Sequence, residues 1–211
     1  MPAPPLPFIP AEHRGKLVVM LLMCYDGDAE SGAKAVAPFR ALATPIIDMV
    51  RPIRYPEIFP PEDTSYHPTV VGRTSFIDSV DRAAAERILD ALRRSDAPMR
   101  ATQLRVLGGE MARVPNDATA FAHRDSPIMA ICVSLFTGPE DRPGREAWVK
   151  SLSGAIDQGR PGAYVNFLGN EGEARVHDAY PGKTWDRLAA IKARYDPQNL
   201  FRLNQNVPPA H

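Results

Sequence analysis

The chain has 211 residues, with 25 lysines and arginines against 25 aspartates and glutamates, and 44% hydrophobic side chains. That length suits one large domain or two small ones with a real core, and the charge balance gives no electrostatic case for nucleic acid or an anionic membrane as partner. Proline is the outlier: 22 residues, about twice the usual ~5%.

Cys24 and Cys132 are far apart in apolar surroundings and read as buried small hydrophobes rather than a disulfide or metal pair. There is no Asn-x-Ser/Thr sequon, and the N-terminus lacks the basic and apolar regions of a signal peptide. The longest apolar run, residues 17–25, is nine residues, under half of the ~20 that a spanning helix needs. A soluble, cytoplasmic protein is expected, with no membrane partner.

Five of the first ten residues are proline, so residues 1–15 read as an extended arm or linker. Residues 17–25, short and uniformly apolar, read as a central strand. Asp26-Gly27-Asp28 turns the chain into a helix over 29–43 that Pro38 limits or kinks. Residues 45–53, with Ile46, Ile47, Met49, Val50 and Ile53, read as a strand, and a proline-broken stretch leads to strand-like Thr69–Ile77. Val80, Ala84, Ile88 and Leu92 repeat every four residues and predict a helix over 80–94.

Residues 103–107 alternate as a half-buried strand does, and Ile128–Phe136 is a second central strand. A helix over 145–157 buries Trp148, Leu152 and Ile156. Residues 164–168 read as a short strand or extended segment, and 172–180 as a short helix. The helix over 183–195 presents Trp185, Leu188, Ile191 and Tyr195 and ends at Asp196-Pro197, leaving an extended tail over 203–209. This order points to an α+β fold: an antiparallel or mixed β-sheet with helices packed mainly on one face.

Generic motifs name no enzyme. Pro181-Gly182-Lys183-Thr184 ends like a phosphate loop, but His177 stands where the first glycine must be. His123-Arg124-Asp125 has no glycine-rich loop or second lobe to make it a kinase loop. The five histidines are dispersed, no pair lies three or four apart, and no metal site is expected.

Longer strings say more. Arg160-Pro-Gly-Ala-Tyr164-Val-Asn166-Phe167-Leu is followed by Trp185-x-Arg187-Leu-x-x-Ile-Lys192-x-x-Tyr195-Asp-Pro-x-Asn199-Leu-Phe201-Arg and then Asn204-Gln-Asn-Val-Pro-Pro. Together they resemble the C-terminal signature of the berberine bridge enzyme-like FAD-linked oxidoreductases. Leu107-Gly-Gly-Glu-Met and Thr119-Ala-Phe-Ala-His-Arg124 resemble that family's strand and loop, and residues 17–77 resemble it more loosely. The resemblance implies the substrate domain plus the C-terminal segment, over 16–158 and 159–211, without the FAD-binding domain and its Gly-Gly-His attachment motif. FAD is the implied cofactor, not expected to be held by this chain alone, because a pyrophosphate needs a glycine-rich turn. The implied partners are an FAD-binding domain or subunit encoded elsewhere and a small-molecule substrate.

By the same resemblance, Tyr164 is the catalytic candidate, and Asn166, Asn204 and Gln205 are cofactor-binding candidates. Met129, Ile131, Val133 and Phe167 would form an apolar substrate floor. Phe167 stands where many relatives carry a tyrosine or histidine that helps deprotonate the substrate, and it cannot ionise. The role would pass to Tyr164, a phenol that is a poor base without tuning, or to the absent half. The implied function is the substrate-binding, catalytic portion of an FAD-dependent oxidase or dehydrogenase. The alternative is a non-enzymatic orphan α+β domain that binds a small apolar ligand or self-associates, as a homodimer, through the uncovered face.

Overall fold

The computed structural model describes residues 1–59 and 67–210, in two compact units, Met1–His67 and Pro68–His211. In the first, the proline-rich start folds back on residues 15–18. Ala3 N–H donates to the Lys16 carbonyl and Gly15 N–H to the Ala3 carbonyl, each at 2.9 Å. Pro2 bridges Leu17, and Gly15, at φ +75°, makes the reversal without Cβ strain. Helix α1, Ala29–Arg40, is capped by Asp28, whose carboxylate accepts from Ser31 N–H at 2.9 Å. It runs through Pro38 and ends two residues later.

Two expectations fail in this unit. Residues 17–25 and 45–53 form no strand. Their apolar side chains stand out of the fold, Val19 at 84% and Leu22 at 82% exposure. Apolar composition states a strand tendency, but a strand exists only where a second backbone completes its hydrogen bonds. Within the unit the first run meets one only at its start, where Pro2 bridges Leu17 and Val18 N–H donates to the Met1 carbonyl. Cys24, inside the first run, is exposed for the same reason, while Cys132 is buried as expected.

The second unit is built on three antiparallel strands: β1, Thr69–Ile77; β2, Arg100–Val106; and β3, Ile128–Phe136. Their order is β1-β3-β2, so the long apolar run is central, as its composition predicts. In register, Phe76 faces Met129, which faces Arg105, while Thr74 faces Ile131, which faces Gln103. These side chains share one face, because the pleat alternates with period two.

Ala130, Cys132 and Ser134, at most 1% exposed, share the other face. Helix α2, Arg82–Arg94, and helix α4, Arg142–Ala155, cover it. Between β2 and β3 lies the one-turn α3, Glu110–Arg113. The α2 stripe Ala84, Ile88 and Leu92 is buried as its spacing predicts. Trp148 of α4 donates its indole N–H to the Ala91 carbonyl at 3.2 Å, locking the helix pair. The result is α+β, an antiparallel sheet with helices on one face.

After α4 the chain returns to the opposite face. Residues 164–168 are not extended: Val165–Phe167 form a 3-10 turn. Helices α5, Glu173–Ala179, and α6, Lys183–Tyr195, follow. On α6 the expected stripe holds in part: Trp185 and Leu188 are half-buried beside buried Thr184 and Ala189, whereas Ile191 and Tyr195 are exposed at 45% and 74%. The period is helical, and the side that meets the protein runs from Thr184 and Trp185 through Leu188 and Ala189. Beyond α6, Asp196 accepts backbone N–H groups of Leu200 and Phe201 at 2.8 and 3.0 Å. Asn199 takes the left-handed conformation at φ +51°. The Asp-Pro-x-Asn string is therefore a helix stop with its own cap.

Candidate functional site

The sheet face opposite α2 and α4 carries the candidates. Phe76, Met129 and Ile131 form a buried cluster with Leu107, Phe121 and Tyr164 packed on it. Phe121 meets Tyr164 edge-on at 5.7 Å between ring centres, and Tyr164 meets Phe167 likewise at 5.2 Å. Asn166 donates its side-chain N–H to the Tyr164 hydroxyl oxygen at 2.8 Å. The phenol is thus held by one donor at its tip and aromatic edges along its ring, with its own O–H free to donate outward.

The structure thereby gathers Tyr164, Asn166, Phe167, Met129 and Ile131. Val133 shares the face but lies further along, opposite Gly72 and Ala101. Gln205 reaches the same segment from the tail and donates its amide N–H to the Leu168 carbonyl. Asn204 stands exposed at φ +61°, and Asn206 N–H donates to its carbonyl. It is a turn residue, and no contact brings it to the cluster.

Two arginines fasten the Tyr164 segment. Arg160 forks between Asp78 at 2.9 Å and Asp125 at 3.3 Å. Arg175, on α5, donates to the carbonyls of Thr74 at 2.8 Å and Gly162 at 3.1 Å, and pairs with Asp178 at 3.0 Å and Glu171 at 3.3 Å. Tyr164 N–H itself donates to the Thr74 hydroxyl at 3.3 Å.

Beneath the cluster, His123 is stacked on Phe76 at 4.5 Å, 6% exposed, and its Nε2 has no partner. Burial lowers its pKa below the ordinary value. The sequence reading missed Arg175, His123, Gln103 and Arg105 as members of this site. For the last two the signal was present: alternation in β2 puts them on one face, but only the register with β3 says which.

For FAD the described residues do not fit. Asn166 and Gln205 spend their amides within the chain, and the Gly108-Gly109 pair leads only into the four-residue α3. No run of backbone N–H groups there forms a pyrophosphate cradle. The sheet side of the cluster is filled, with Phe76, Met129 and Ile131 buried beneath Leu107, Phe121 and Tyr164. A surface hollow of about 410 Å³ lies elsewhere, beside the stacked His177 and Trp185. Only the outer layer of the Tyr164 cluster reaches solvent, with Phe167 at 36% exposure.

Residues 163–208 match the family model described as berberine and berberine like. An FAD-linked oxidoreductase of Dictyostelium discoideum is 26% identical over 199 residues, which span 90% of this chain and 42% of that protein. An uncharacterized FAD-linked oxidoreductase of Bacillus subtilis is 34% identical over 103 residues, 49% of this chain and 23% of that one. Among solved structures, a chitooligosaccharide oxidase superposes with a TM-score of 0.65 at 20% identity, over 89% of this chain and 45% of its own. The BBE-like protein 28 of Arabidopsis thaliana gives 0.65 at 21%, over 89% and 46%. These superpositions establish the fold. The chain spans less than half the length of these relatives.

Proposed function

We propose, on the premise that this chain is a relative of the berberine bridge enzyme-like FAD-linked oxidoreductases, that it is the substrate-binding, catalytic portion of an FAD-dependent oxidase or dehydrogenase. The flavin and its redox chemistry belong to an FAD-binding domain or subunit outside the chain. Segments 16–158 and 159–211 act together as that portion, with 1–15 as the link to it. The observation that carries this reading is the Tyr164, Asn166 and Phe167 cluster. It lies within the matched family segment and packs on the sheet face opposite α2 and α4. Tyr164, with its hydroxyl oriented by Asn166, would exchange a proton with a small-molecule substrate lying against Phe167, with Met129 and Ile131 as the buried support beneath. Asn166, Asn204 and Gln205 remain the candidates for contact with the FAD-binding part.

Among the described residues no helix is long and apolar enough to cross a membrane. A cytoplasmic location is part of the proposal. The test is reconstitution. The chain is purified alone and then co-expressed with the FAD-binding frame sought immediately upstream of its own coding sequence. Expected results are a colourless isolated chain and a yellow complex whose flavin bleaches anaerobically with an alcohol, sugar or phenol substrate. Bleaching should be slowed about a hundredfold or more by Tyr164→Phe. Tight stoichiometric flavin on the isolated chain would contradict the need for a partner. Bleaching indifferent to Tyr164→Phe would remove that residue from the chemistry.

The second reading, a free-standing module that binds a small apolar ligand or pairs with itself, is favoured by Phe167, which cannot ionise and is 36% exposed on that face. Its self-pairing form expects a homodimer by sedimentation, which a monomer at micromolar concentration would refute.

A further inference from the structure

We infer that Arg105 is the carboxylate-binding residue of the exposed outer layer it forms with Phe167, so that the molecule taken there is an organic acid with a planar, apolar body. The inference rests on reading the face as the substrate side, and it names the substrate class.

Arg105 sits on β2 opposite Met129. Its Nε donates to the Gln103 side-chain oxygen at 2.8 Å, and its guanidinium carbon lies 4.9 Å from the centre of the Phe167 ring. One contact holds an edge of the guanidinium and the other holds a face. The remaining edge, the Nη1 and Nη2 pair, makes no ion pair among the described residues. A guanidinium held on two sides has already lost the rotational freedom that binding would otherwise cost, and its free edge matches the two oxygens of a carboxylate.

The other arginines around the face are committed. Arg160 serves Asp78 and Asp125, and Arg175 serves Glu171 and Asp178. Arg124, 5.5 Å over Phe121, donates to the Met111 carbonyl and the Thr119 hydroxyl. One free fork suits a single negative charge, whereas a phosphate dianion calls for further donors. The body of the ligand would lie along Phe167 and the Tyr164 edge, which places its reacting end near the Tyr164 hydroxyl.

The test is a titration of the full chain, ¹⁵N-labelled, with benzoate, benzyl alcohol and inorganic phosphate, following the amides of residues 103–106 and 164–167. Benzoate is expected to shift these amides and to bind about tenfold more tightly than benzyl alcohol. Arg105→Gln should erase that difference, bringing benzoate down to the affinity of the alcohol. Gln103→Ala, which frees the guanidinium but keeps its charge, should weaken benzoate about two- to threefold. Equal benzoate affinity in wild type and Arg105→Gln would overturn the assignment, as would phosphate displacing benzoate at equal concentration. No flavin takes part, so the two readings fail separately. Carboxylate binding without flavin bleaching in the complex sinks the oxidoreductase reading. Bleaching without carboxylate binding sinks the role of Arg105.

Discussion

Arg175 reaches from α5 across to β1 and donates an Nη2 hydrogen bond to the Thr74 carbonyl at 2.8 Å, while the Thr74 hydroxyl accepts from Tyr164 N–H. One residue of an edge strand therefore anchors both the helix and the segment that carries the phenol. The guanidinium spends its other donors on Gly162, Asp178 and Glu171 and is only 15% exposed.

Arg175→Ala leaves a mostly buried Glu171 with only Arg73, at 3.8 Å, and strands two carbonyls. It should cost about 3 kcal/mol in urea unfolding. Arg175→Lys should regain less than half of that, because a single ammonium cannot span four acceptors. A loss within about 0.5 kcal/mol of zero would show that the network is ornamental.

Gly162 stands at φ +147°, and a Cβ there would come 2.7 Å from the His123 ring and 2.8 Å from that of Phe76. Gly162→Ala thus combines backbone strain with overpacking and should destabilise by about 3 kcal/mol. It should also shift the ring resonances of Phe76 and His123. Unchanged stability and spectra would mean that the segment slides freely over the aromatic floor.

His123 gives the fold an acid limit. Burial depresses its folded pKa below the unfolded value of 6.5, against the smaller opposing pull of the Asp178 and Ala179 carbonyls and the charges of Asp125 and Asp178. Between those two pKa values the unfolded chain binds the extra proton, so stability falls as pH drops from about 6.5 toward the folded pKa. In His123→Phe, which keeps a ring on Phe76, that part of the slope should vanish whatever the absolute stability. Parallel stability curves for wild type and variant between about pH 7 and 5 would refute the buried neutral histidine.

The thiols should separate cleanly. Cys24 is exposed, whereas Cys132 is buried and its pKa is pushed up to about 11 by desolvation. A chromogenic disulfide reagent at neutral pH should titrate one thiol at once and the second only on unfolding. Cys24→Ser should remove the fast phase. Two fast thiols would mean that α4 does not seal its face of the sheet.

Much of this was open to a reader of the sequence, and the part that was not has a common cause. The bounds of β1 and β3, the buried stripe of α2 and the extent of α6 follow from local periodicity, because a pleat or a helical turn is decided within a few residues. So does the split of β3 into Met129 and Ile131 on one side and Ala130, Cys132 and Ser134 on the other. The family resemblance likewise sits in contiguous strings after residue 160.

Long-range pairing decided the rest. Residues 17–25 and 45–53 have strand composition, but pairing within their unit stops at the single Pro2–Leu17 bridge. The bond from Asn166 to the Tyr164 hydroxyl needed a 3-10 turn where extended chain was expected. Arg105 became part of the site only when antiparallel register set it beside Met129 and brought Phe167 under its guanidinium. Composition determines what each short segment prefers. Which segments meet is fixed by hydrogen bonds and packing between residues up to a hundred positions apart, such as Arg175 and Thr74, and no local pattern encodes those meetings.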